Sequence, residues 1–470
     1  MAERYKNSEL IDFDKTYDMV IIGGGTIGIS AAYHATKAGL RTILVEKADI
    51  PSSMGSSKGY ERIFRIMYAQ DNRIRLTEAA YAQWKELEKL SGETILIEDD
   101  LLFFGHKNAP DTPEGNLKDT IAAMNRQAVP YELLNSPQEI QNRFPVFNAK
   151  GMPSDYIGLV QKNSATIDVQ KAMKTYLNLA METKLLTIAA YTQATNLVNK
   201  GYANIEDNFN VTVAVATGEL GKVYGQAGVI KANHLILAPG VWAGGLLSNL
   251  TRNMLLQNDD YRIWQMSLAF WRQNKPAQDK IPLWYEFGNT EQNQRGLFYG
   301  FPDVGLSNDT KGRVKIAADY TDTKFTNPSQ ITGIPDQNIL NEIKTHISGL
   351  FIPGVLDFND YSNQSACLYS MPNDGKVVIG PIPGLGPTPW NPTMSYPPIR
   401  YSAMSVMEAG RGFKYTPLFG RILVNIATNP YAQAPFNSGN GVILKYGSGY
   451  DYDIEEFSPY RSGLWQFVGG

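Results

Sequence analysis

The sequence predicts a two-domain protein of mixed α/β and α+β class, in which a Rossmann-like nucleotide-binding domain is interleaved with a sheet-rich second domain. Two observations predict this class. A strand, a glycine-rich loop, a helix and a second strand follow one another over residues 17–46. Longer strands with alternating apolar and polar residues lie between residues 261 and 320, a pattern typical of antiparallel sheet. A chain of 470 residues has room for two or three such units.

The glycine-rich loop carries the most informative motif. Apolar residues 18–22 predict a buried parallel strand, and Gly23, Gly25 and Gly28 follow it with the spacing GxGxxG. In this motif the first glycine permits a tight turn, the second lets a pyrophosphate approach the backbone, and the third lets helix and strand pack closely. Residues 29–38 predict the helix, whose N-terminus favours an anion.

An acidic residue at the expected distance supports the same interpretation. Residues 41–45 predict the second strand, and Glu46 follows it directly, 18 residues after Gly28. A carboxylate at this position meets the ribose hydroxyls of an adenine dinucleotide. The sequence therefore predicts a dinucleotide site where the first two strands end.

The other elements are predicted from periodicity and capping residues. A Ser/Gly-rich turn that starts at residue 51 is expected to run into a helix that reaches residue 68. Further helices are predicted at residues 73–90, 136–144, 164–182 and 336–349, and strands at 95–104, 185–189, 211–216, 229–232 and 234–240. A strand and turn at 367–380, a proline-rich loop at 381–398 and a glycine-rich loop leading into a helix at 410–427 complete the chain.

This order of elements predicts discontinuous domains. The nucleotide-binding domain is expected to comprise residues 17–105, 155–255 and 362–470. The sheet-rich substrate domain is expected to comprise residues 106–154 and 256–361.

Composition narrows the possible functions. The chain has 43% hydrophobic and 19% charged residues and a net charge of −3, which favours neither nucleic acid nor a membrane surface as a partner. The single cysteine, Cys367, excludes an internal disulfide, and four scattered histidines form no zinc motif, so no metal is expected. The polar first residues and the lack of a long apolar run predict a cytoplasmic enzyme without a membrane span.

Four separated blocks resemble the sarcosine oxidase branch of the D-amino-acid-oxidase-like (DAO-like) flavoproteins. They are GSSKGYERIFRIMY (residues 55–68), GRVKIAADY (312–320), SACLYSMPNDGKVVIG (365–380) and AGRGFKYTPLFGRILVNIA (409–427). The blocks follow one another in the order found in that family. The resemblance implies a DAO-like two-domain fold, FAD as the cofactor, an amino-acid substrate and O2 as the small-molecule partners, and a monomer.

The resemblance also implies roles for individual residues. Cys367 matches the cysteine that bonds the flavin 8α-methyl group, and Tyr369 matches an active-site tyrosine. Lys315 matches the lysine near flavin N5, where a fixed positive charge stabilises the anion that develops as oxygen is reduced. Arg65 and Lys414 match the pair that binds the substrate carboxylate.

Two positions depart from the family pattern. Asp319 and Lys58 stand where monomeric sarcosine oxidase has active-site histidines, which affects the substrate more than the chemistry. The candidate catalytic residues are therefore Lys315, Tyr369, Asp319 and Arg62, which matches a second arginine close to the flavin. The expected cofactor contacts are Gly23, Gly25, Thr26, Ile27, Gly28, Glu46, Lys47, Gly55, Ser56, Arg62, Gly240, Trp242, Cys367, Gly410, Gly412, Phe413 and Lys414.

The expected reaction is oxidation of a C–N bond of an N-substituted or cyclic amino acid to an imine, with O2 reduced to H2O2. A flavin-dependent dehydrogenase, or a biosynthetic oxidase acting on another amine, remains an alternative, and Lys315 separates an oxidase from a dehydrogenase. An aromatic hydroxylase is disfavoured because the sequence has no Gly-Asp dipeptide to contact the ribityl chain. A binding protein without catalysis would need neither Cys367 nor Lys315.

Overall fold

The structure is a computed structural model. It describes residues 11–199, 209–216, 223–243, 246, 261–275, 278–291, 295–372, 377–380, 402–406, 412–428, 443–446 and 450–453.

The described residues form both strands and helices. The strands are β1 (Thr16–Ile22), β2 (Thr42–Val45), β3 (Glu61–Phe64), β4 (Leu96–His106), β5 (Glu132–Leu134), β6 (Tyr156–Asp168), β7 (Leu186–Ala189), β8 (Thr192–Asn199), β9 (Phe209–Ala216), β10 (Val223–Leu237), β11 (Tyr261–Gln273), β12 (Leu283–Phe287), β13 (Leu297–Phe301), β14 (Arg313–Ala318), β15 (Lys324–Phe325), β16 (Leu356–Pro372), β17 (Val378–Gly380), β18 (Ser402–Val406), β19 (Ile443–Tyr446) and β20 (Tyr450–Asp453). The helices are α1 (Thr26–Lys37), α2 (Asp71–Ser91), α3 (Leu117–Arg126), α4 (Pro137–Arg143), α5 (Val169–Glu182), α6 (Gln337–Leu350) and α7 (Thr416–Thr428).

An eight-stranded sheet holds the glycine motif. Its order is β17-β18-β10-β1-β2-β7, and β9 joins β10 while β8 pairs with β9. Strand β1 runs parallel to both β10 and β2, so these three strands end at the same edge of the sheet. Helix α1 begins at Thr26, directly after the glycine loop, and lies against α5 and α7. The predicted strand–loop–helix–strand unit is confirmed.

A ten-stranded sheet carries most of the other predicted site residues. Its order is β15-β11-β14-β13-β12-β4-β6-β3, with β16 paired to β11 and β5 paired to β6. Lys315 lies on β14, and Cys367 and Tyr369 lie on β16. Because β11 pairs with both β14 and β16, it joins the strand of Lys315 to the strand of Cys367.

The predicted helix before residue 68 is wrong. Glu61–Phe64 form strand β3, which pairs antiparallel with β6. Glu61, Arg62 and Phe64 are buried in this arrangement. Cross-strand pairing and burial outweigh the weak local propensity of such a short charged stretch. Arg62 and Arg65 therefore do not lie one turn apart on a helix.

Two other boundaries also differ from the prediction. The helix predicted at residues 164–182 begins at Val169, because the preceding residues complete β6 and Asp168 caps the helix by accepting a hydrogen bond from the Lys171 N–H. The strands predicted at 229–232 and 234–240 belong to one strand, β10, which ends at Leu237.

Sheet membership crosses the predicted domain boundaries. Strands β3, β4 and β6 belong to the ten-stranded sheet, although they fall mostly within the ranges assigned to the nucleotide-binding domain. The boundaries themselves remain a prediction. No helix in the described part of the chain is long and apolar enough to cross a membrane.

Candidate active site

A cavity of about 660 Å³ lies where β1, β2 and β10 end. It is lined by the glycine loop, by the residues that follow β2 and β10, and by the loop before β3. The predicted cofactor contacts that line it are Gly23, Gly25, Thr26, Ile27, Glu46, Lys47, Gly55, Ser56, Arg62, Gly240, Trp242 and Phe413. These residues come from six separate segments of the chain, so the fold brings them together.

The three motif glycines have different environments. Gly23 has a φ of +110°, and a Cβ atom there would lie 2.2 Å from the carbonyl oxygen of Ala238. A Cβ atom on Gly28 would lie 1.8 Å from the carbonyl oxygen of Gly23. A Cβ atom on Gly25 would have only Ser57 Oγ within 4 Å, at 3.2 Å, and Gly25 lines the cavity. The first and third glycines therefore permit close packing, whereas the second leaves its backbone open to a ligand.

Glu46 is held by the backbone at the edge of the cavity. Its Oε2 accepts a hydrogen bond from the Gly24 N–H at 2.7 Å, and its Oε1 accepts one from the Ala48 N–H at 2.9 Å. Burial raises the pKa of the Glu46 carboxyl, and these two hydrogen bonds oppose that effect. Each oxygen keeps a lone pair that is able to accept a ribose hydroxyl.

Arg62 holds the loop before β3 in place. Its guanidinium donates to the carbonyl oxygens of Glu61 at 2.7 Å, of Lys58 at 2.9 Å, and of Ser56. It also lies 5.7 Å from the ring centre of Phe413. Lys58 is partly buried, and its carbonyl oxygen is an acceptor for Arg62.

The lining of the cavity fits an adenine dinucleotide that carries a flavin. Ser370 is one of the lining residues, and its Oγ is buried and has no hydrogen-bond partner among the described residues. Lys47 lies 3.4 Å from the ring centre of Trp242, and burial lowers the pKa of Lys47 to about 8. An unsatisfied hydroxyl, a cation and open glycine backbone are the groups that a dinucleotide phosphate and ribose require.

Sequence reasoning missed part of this lining. Ser57 Oγ accepts a hydrogen bond from the Thr26 N–H at 3.0 Å, and residues 192–195 and 327–329 also line the cavity. No motif marks these residues in the sequence, because only the folded chain brings their strands and loops to the cavity. Of these residues only Ser57 could have been expected from the sequence, because it follows the predicted contact Ser56.

A second group of side chains surrounds Tyr68. Lys414 Nζ donates to Tyr68 Oη at 2.5 Å, and the Arg65 and Arg73 guanidiniums lie 4.3 and 5.9 Å from the Tyr68 ring centre. Burial lowers the pKa of Lys414 to about 8. Burial alone would raise the pKa of Tyr68, but Lys414 and Arg65 outweigh it and lower that pKa to about 7. Arg65 and Lys414, which are far apart in sequence, therefore lie in one cationic cluster.

The cluster contains a carboxylate that the sequence did not reveal. Arg65 Nη2 forms an ion pair with Glu114, and both side chains are about 5% exposed. Arg65, which the family resemblance assigns to the substrate carboxylate, therefore also has a carboxylate partner within the protein. Arg65 Nη1, by contrast, is buried and has no hydrogen-bond partner in the described residues. One side of the guanidinium is thus neutralised and the other remains able to donate.

Lys315 is buried on β14. Its Nζ donates to the carbonyl oxygen of Glu61 at 3.1 Å and lies 4.2 Å from the ring centre of Phe301. Burial and the nearby Arg62 lower the pKa of Lys315 to about 8, whereas Glu61 and Cys367 oppose that change. Lys315, Arg62 and Cys367 are therefore close enough to interact electrostatically.

Asp319 and Tyr369 lie in an aromatic part of the ten-stranded sheet. Tyr285 Oη donates to Asp319 Oδ2 at 2.8 Å, and the rings of Tyr285 and Tyr299 stack with centres 6.1 Å apart. Burial raises the pKa of Tyr369 above its usual value, and Tyr299 adds to that effect. Cys367 is a partly buried free thiol next to this group. Tyr285 and Tyr299 are further residues that no sequence pattern identified.

Some predicted contacts do not line the large cavity. Gly28 is packed against Gly23, and Cys367, Gly412 and Lys414 lie outside the cavity lining. Gly410 and the loop at residues 381–398 fall outside the described residues. The part of the chain that the structure describes contains no group of three or more His, Cys, Asp or Glu side chains able to hold a metal ion.

Comparison with known proteins identifies the family. The sequence profile of the family described as "FAD dependent oxidoreductase" (DAO) matches residues 18–426. The chain belongs to this family. Its mixed-sheet architecture is accordingly the DAO-like two-domain fold.

Individual relatives are more distant. The peroxisomal sarcosine oxidase of Homo sapiens is 25% identical over 89% of this chain and 95% of its own length. A bifunctional amine oxidase of Dictyostelium discoideum is 25% identical over 91% of this chain, but the chain spans only 38% of that longer protein. The solved structure of NikD in its open form, described as an unusual amino acid oxidase essential for nikkomycin biosynthesis, is 26% identical, with a TM-score of 0.72 over 95% of this chain and 98% of NikD.

Proposed function

We propose that the protein is an amine oxidase that converts a C–N single bond of an N-substituted or cyclic amino acid to an imine and reduces O2 to H2O2. Two hydrogens leave the substrate, one from carbon and one from nitrogen, and both appear in the peroxide. FAD supplies the redox chemistry by accepting a hydride equivalent when it is bound. The similarity to sarcosine oxidases and to NikD supports this substrate class.

The observation that carries the proposal is the unsatisfied donor of Arg65. Arg65 Nη1 is buried without a hydrogen-bond partner among the described residues, and Lys414 belongs to the same cluster. An unsatisfied buried donor costs free energy that a ligand acceptor recovers. A substrate carboxylate is such an acceptor, and it forms charge-assisted hydrogen bonds with guanidinium and ammonium groups.

The side chains of the protein would bind the substrate, exclude water and stabilise charge. Arg65 and Lys414 would hold the carboxylate, and the aromatic group around Tyr285 and Tyr299 would exclude water from the amine. The amine must be neutral before it reacts, and the cations nearby disfavour its ammonium form. Lys315, as a fixed positive charge, would stabilise negative charge as it develops on oxygen.

The test of this function is a screen for peroxide release. Purified protein would be mixed with N-methyl, N-alkyl and cyclic amino acids, each paired with its analogue lacking the carboxylate. Amino acids are expected to release peroxide and their decarboxylated analogues to react far more slowly. Equal turnover of both members of every pair would contradict the carboxylate assignment.

We further propose that the flavin is bound covalently through Cys367, the only cysteine in the chain. The partly buried thiol lies close enough to Lys315 to interact with it electrostatically. Yellow colour is expected to stay with the polypeptide after acid precipitation, and Cys367→Ala is expected to release it. Flavin found wholly in the acid supernatant of the unmodified protein would exclude a covalent bond.

A biosynthetic oxidase acting on another amine is the second candidate. It is supported by NikD, for which the known role is in biosynthesis. An enzyme of this second kind would release no peroxide with the N-methyl, N-alkyl or cyclic amino acids of the screen. A monomeric state and a cytoplasmic location remain predictions, and gel filtration tests the first.

A further inference from the structure

Glu61 is a buried carboxylate that the proposed reaction does not use. It lies on β3 and is 4% exposed. Its Oε2 is buried and has no hydrogen-bond partner among the described residues. A buried carboxylate is costly unless a positive charge or hydrogen-bond donors compensate it. The surroundings of Glu61 must therefore supply that compensation.

Lys315 is the cation that reaches this residue. It extends from β14 to β3, and its Nζ lies 3.1 Å from the carbonyl oxygen of Glu61. An ammonium has three donors, and this contact uses one of them. A buried cation thus contacts the backbone of a residue that carries a buried carboxylate, although 254 positions separate the two residues in the chain.

The other charged groups around the pair differ in their effect on Lys315. Arg62, which adjoins Glu61 on β3, repels the Lys315 ammonium, whereas Glu61 and Cys367 favour it. Asp303, which follows β13, adds a negative charge near Glu61. Burial raises the pKa of Glu61 to about 7, and Lys315 opposes this rise. Without Glu61, burial and Arg62 would lower the pKa of Lys315 further.

We propose that Glu61 is a positioning residue for Lys315, and that its carboxylate keeps the Lys315 amine protonated in a buried site next to Arg62. This inference rests on the proposed function, since it explains how Lys315 keeps the charge that oxygen reduction requires. The sequence could not show it, because β3 and β14 meet only in the folded protein.

The charges of Lys315 and Glu61 determine the direction of the expected pH shift. Lys315 is an ammonium below its pKa and neutral above it, so a rate that needs the charge falls as the pH rises. Removing the Glu61 charge withdraws a favourable interaction and moves this fall to lower pH. An opposite charge at close range shifts a pKa by about 1–3 units. At a pH above the midpoints of both wild type and Glu61→Gln, flavin reoxidation in the variant is then at least about tenfold slower.

The experiment uses the flavin-loaded enzyme and needs no amine substrate. Wild type and Glu61→Gln are reduced chemically and mixed with O2, and the reoxidation rate is measured across the neutral and alkaline range. The affinity for sulfite, an anionic probe of positive charge beside the flavin, is measured by absorbance over the same range. The pH midpoint of the reoxidation rate and the pH midpoint of the sulfite affinity are both expected to move to lower pH in Glu61→Gln. Because chemical reduction replaces the substrate, failure of the amine assignment would leave this result intact.

Three further variants make the test specific. Glu286→Gln removes another buried carboxylate of the same sheet, one that is paired with His346 and Tyr156, and should leave both midpoints unchanged. In a Lys315→Met background, Glu61→Gln should have no further effect on reoxidation. Glu61→Asp keeps the charge on a shorter side chain and should shift the midpoints less than Glu61→Gln does.

Two results would overturn the proposal. One is a Glu61→Gln enzyme with the midpoints of wild type. The other is an additive loss in the double variant with Lys315→Met, which would show that Glu61 acts on the fold in general. Should Glu61→Gln fail to fold, Glu61→Ala removes the same charge, and midpoints equal to those of wild type in that variant would overturn the proposal.

Discussion

The cavity at the glycine motif and the charged cluster around Tyr68 are built in different ways. The cavity depends on backbone: glycines that tolerate close contact, and a Glu46 carboxylate held by two backbone N–H groups. The cluster depends on buried side chains that compensate one another, including the pairs Arg65–Glu114 and Lys414–Tyr68. The first can be recognised from one short stretch of sequence, whereas the second exists only after folding.

This difference predicts different responses to mutation. A change in the cavity should alter stability or cofactor retention through steric effects. A change in the cluster, or at Lys315, should alter rates and affinities through charge, and leave a neighbouring charge uncompensated.

The largest effect is expected at Lys315. Lys315→Met should slow reoxidation of the reduced flavin by about 10²–10³-fold, by analogy with the loss of one charge-stabilising donor from a preorganised site. Reduction by the amine should change much less, because the charge acts after the amine has reacted. Stopped-flow measurement of the two half-reactions tests this. Equal losses in both would assign Lys315 to substrate binding or to the fold.

The next effect is expected at Arg65. Arg65→Gln should weaken binding of a carboxylate inhibitor by about one to two decades, since a charge-assisted hydrogen bond contributes about 1.5–3 kcal/mol and 1.4 kcal/mol is tenfold. Binding is followed by perturbation of the flavin spectrum. The single variant removes the Arg65 partner of the buried Glu114 carboxylate, which alone destabilises the protein.

The control for the loss of stability in Arg65→Gln is the double variant Arg65→Gln with Glu114→Gln. It removes both charges at similar volume, so it should recover stability but not carboxylate affinity. A double variant that binds the inhibitor as tightly as wild type would contradict the assignment of Arg65.

The same division explains what the sequence predicted. The strand–glycine–helix–strand unit at β1, α1 and β2 was predicted correctly, because its periodicity and its GxGxxG spacing are local. The segment around Arg62 was predicted as a helix and is strand β3, because its pairing with β6 is not visible in its own residues. Local pattern is informative only where the local sequence decides the conformation.

The charged residues show the same limit more sharply. The family resemblance led to Arg65, Lys414 and Lys315, but not to their partners Glu114, Tyr68 and Glu61. Each partner comes from another element, and its proximity depends on the register between strands or on a loop. The sequence around a charged residue therefore says little about which group compensates that charge in the folded protein.

The smallest effects are expected at the motif glycines, where a matched pair of substitutions separates packing from ligand approach. Gly28→Ala would place a Cβ atom 1.8 Å from the carbonyl oxygen of Gly23, so backbone must move. Overpacking of this kind costs about 1–3 kcal/mol, and urea unfolding of the flavin-free protein should show the loss.

Gly25→Ala should have the opposite effect on stability. Gly25 has a φ of −77°, which alanine adopts readily, and its added Cβ would meet only Ser57 Oγ, at 3.2 Å. Alanine restricts the unfolded chain, so the flavin-free protein should be unchanged or up to about 1 kcal/mol more stable. The same methyl group would enter the cavity and should lower the fraction of protein that retains flavin, measured by absorbance. If Gly25→Ala destabilises the flavin-free protein as much as Gly28→Ala does, Gly25 is a packing glycine and the cavity is not organised by its open backbone.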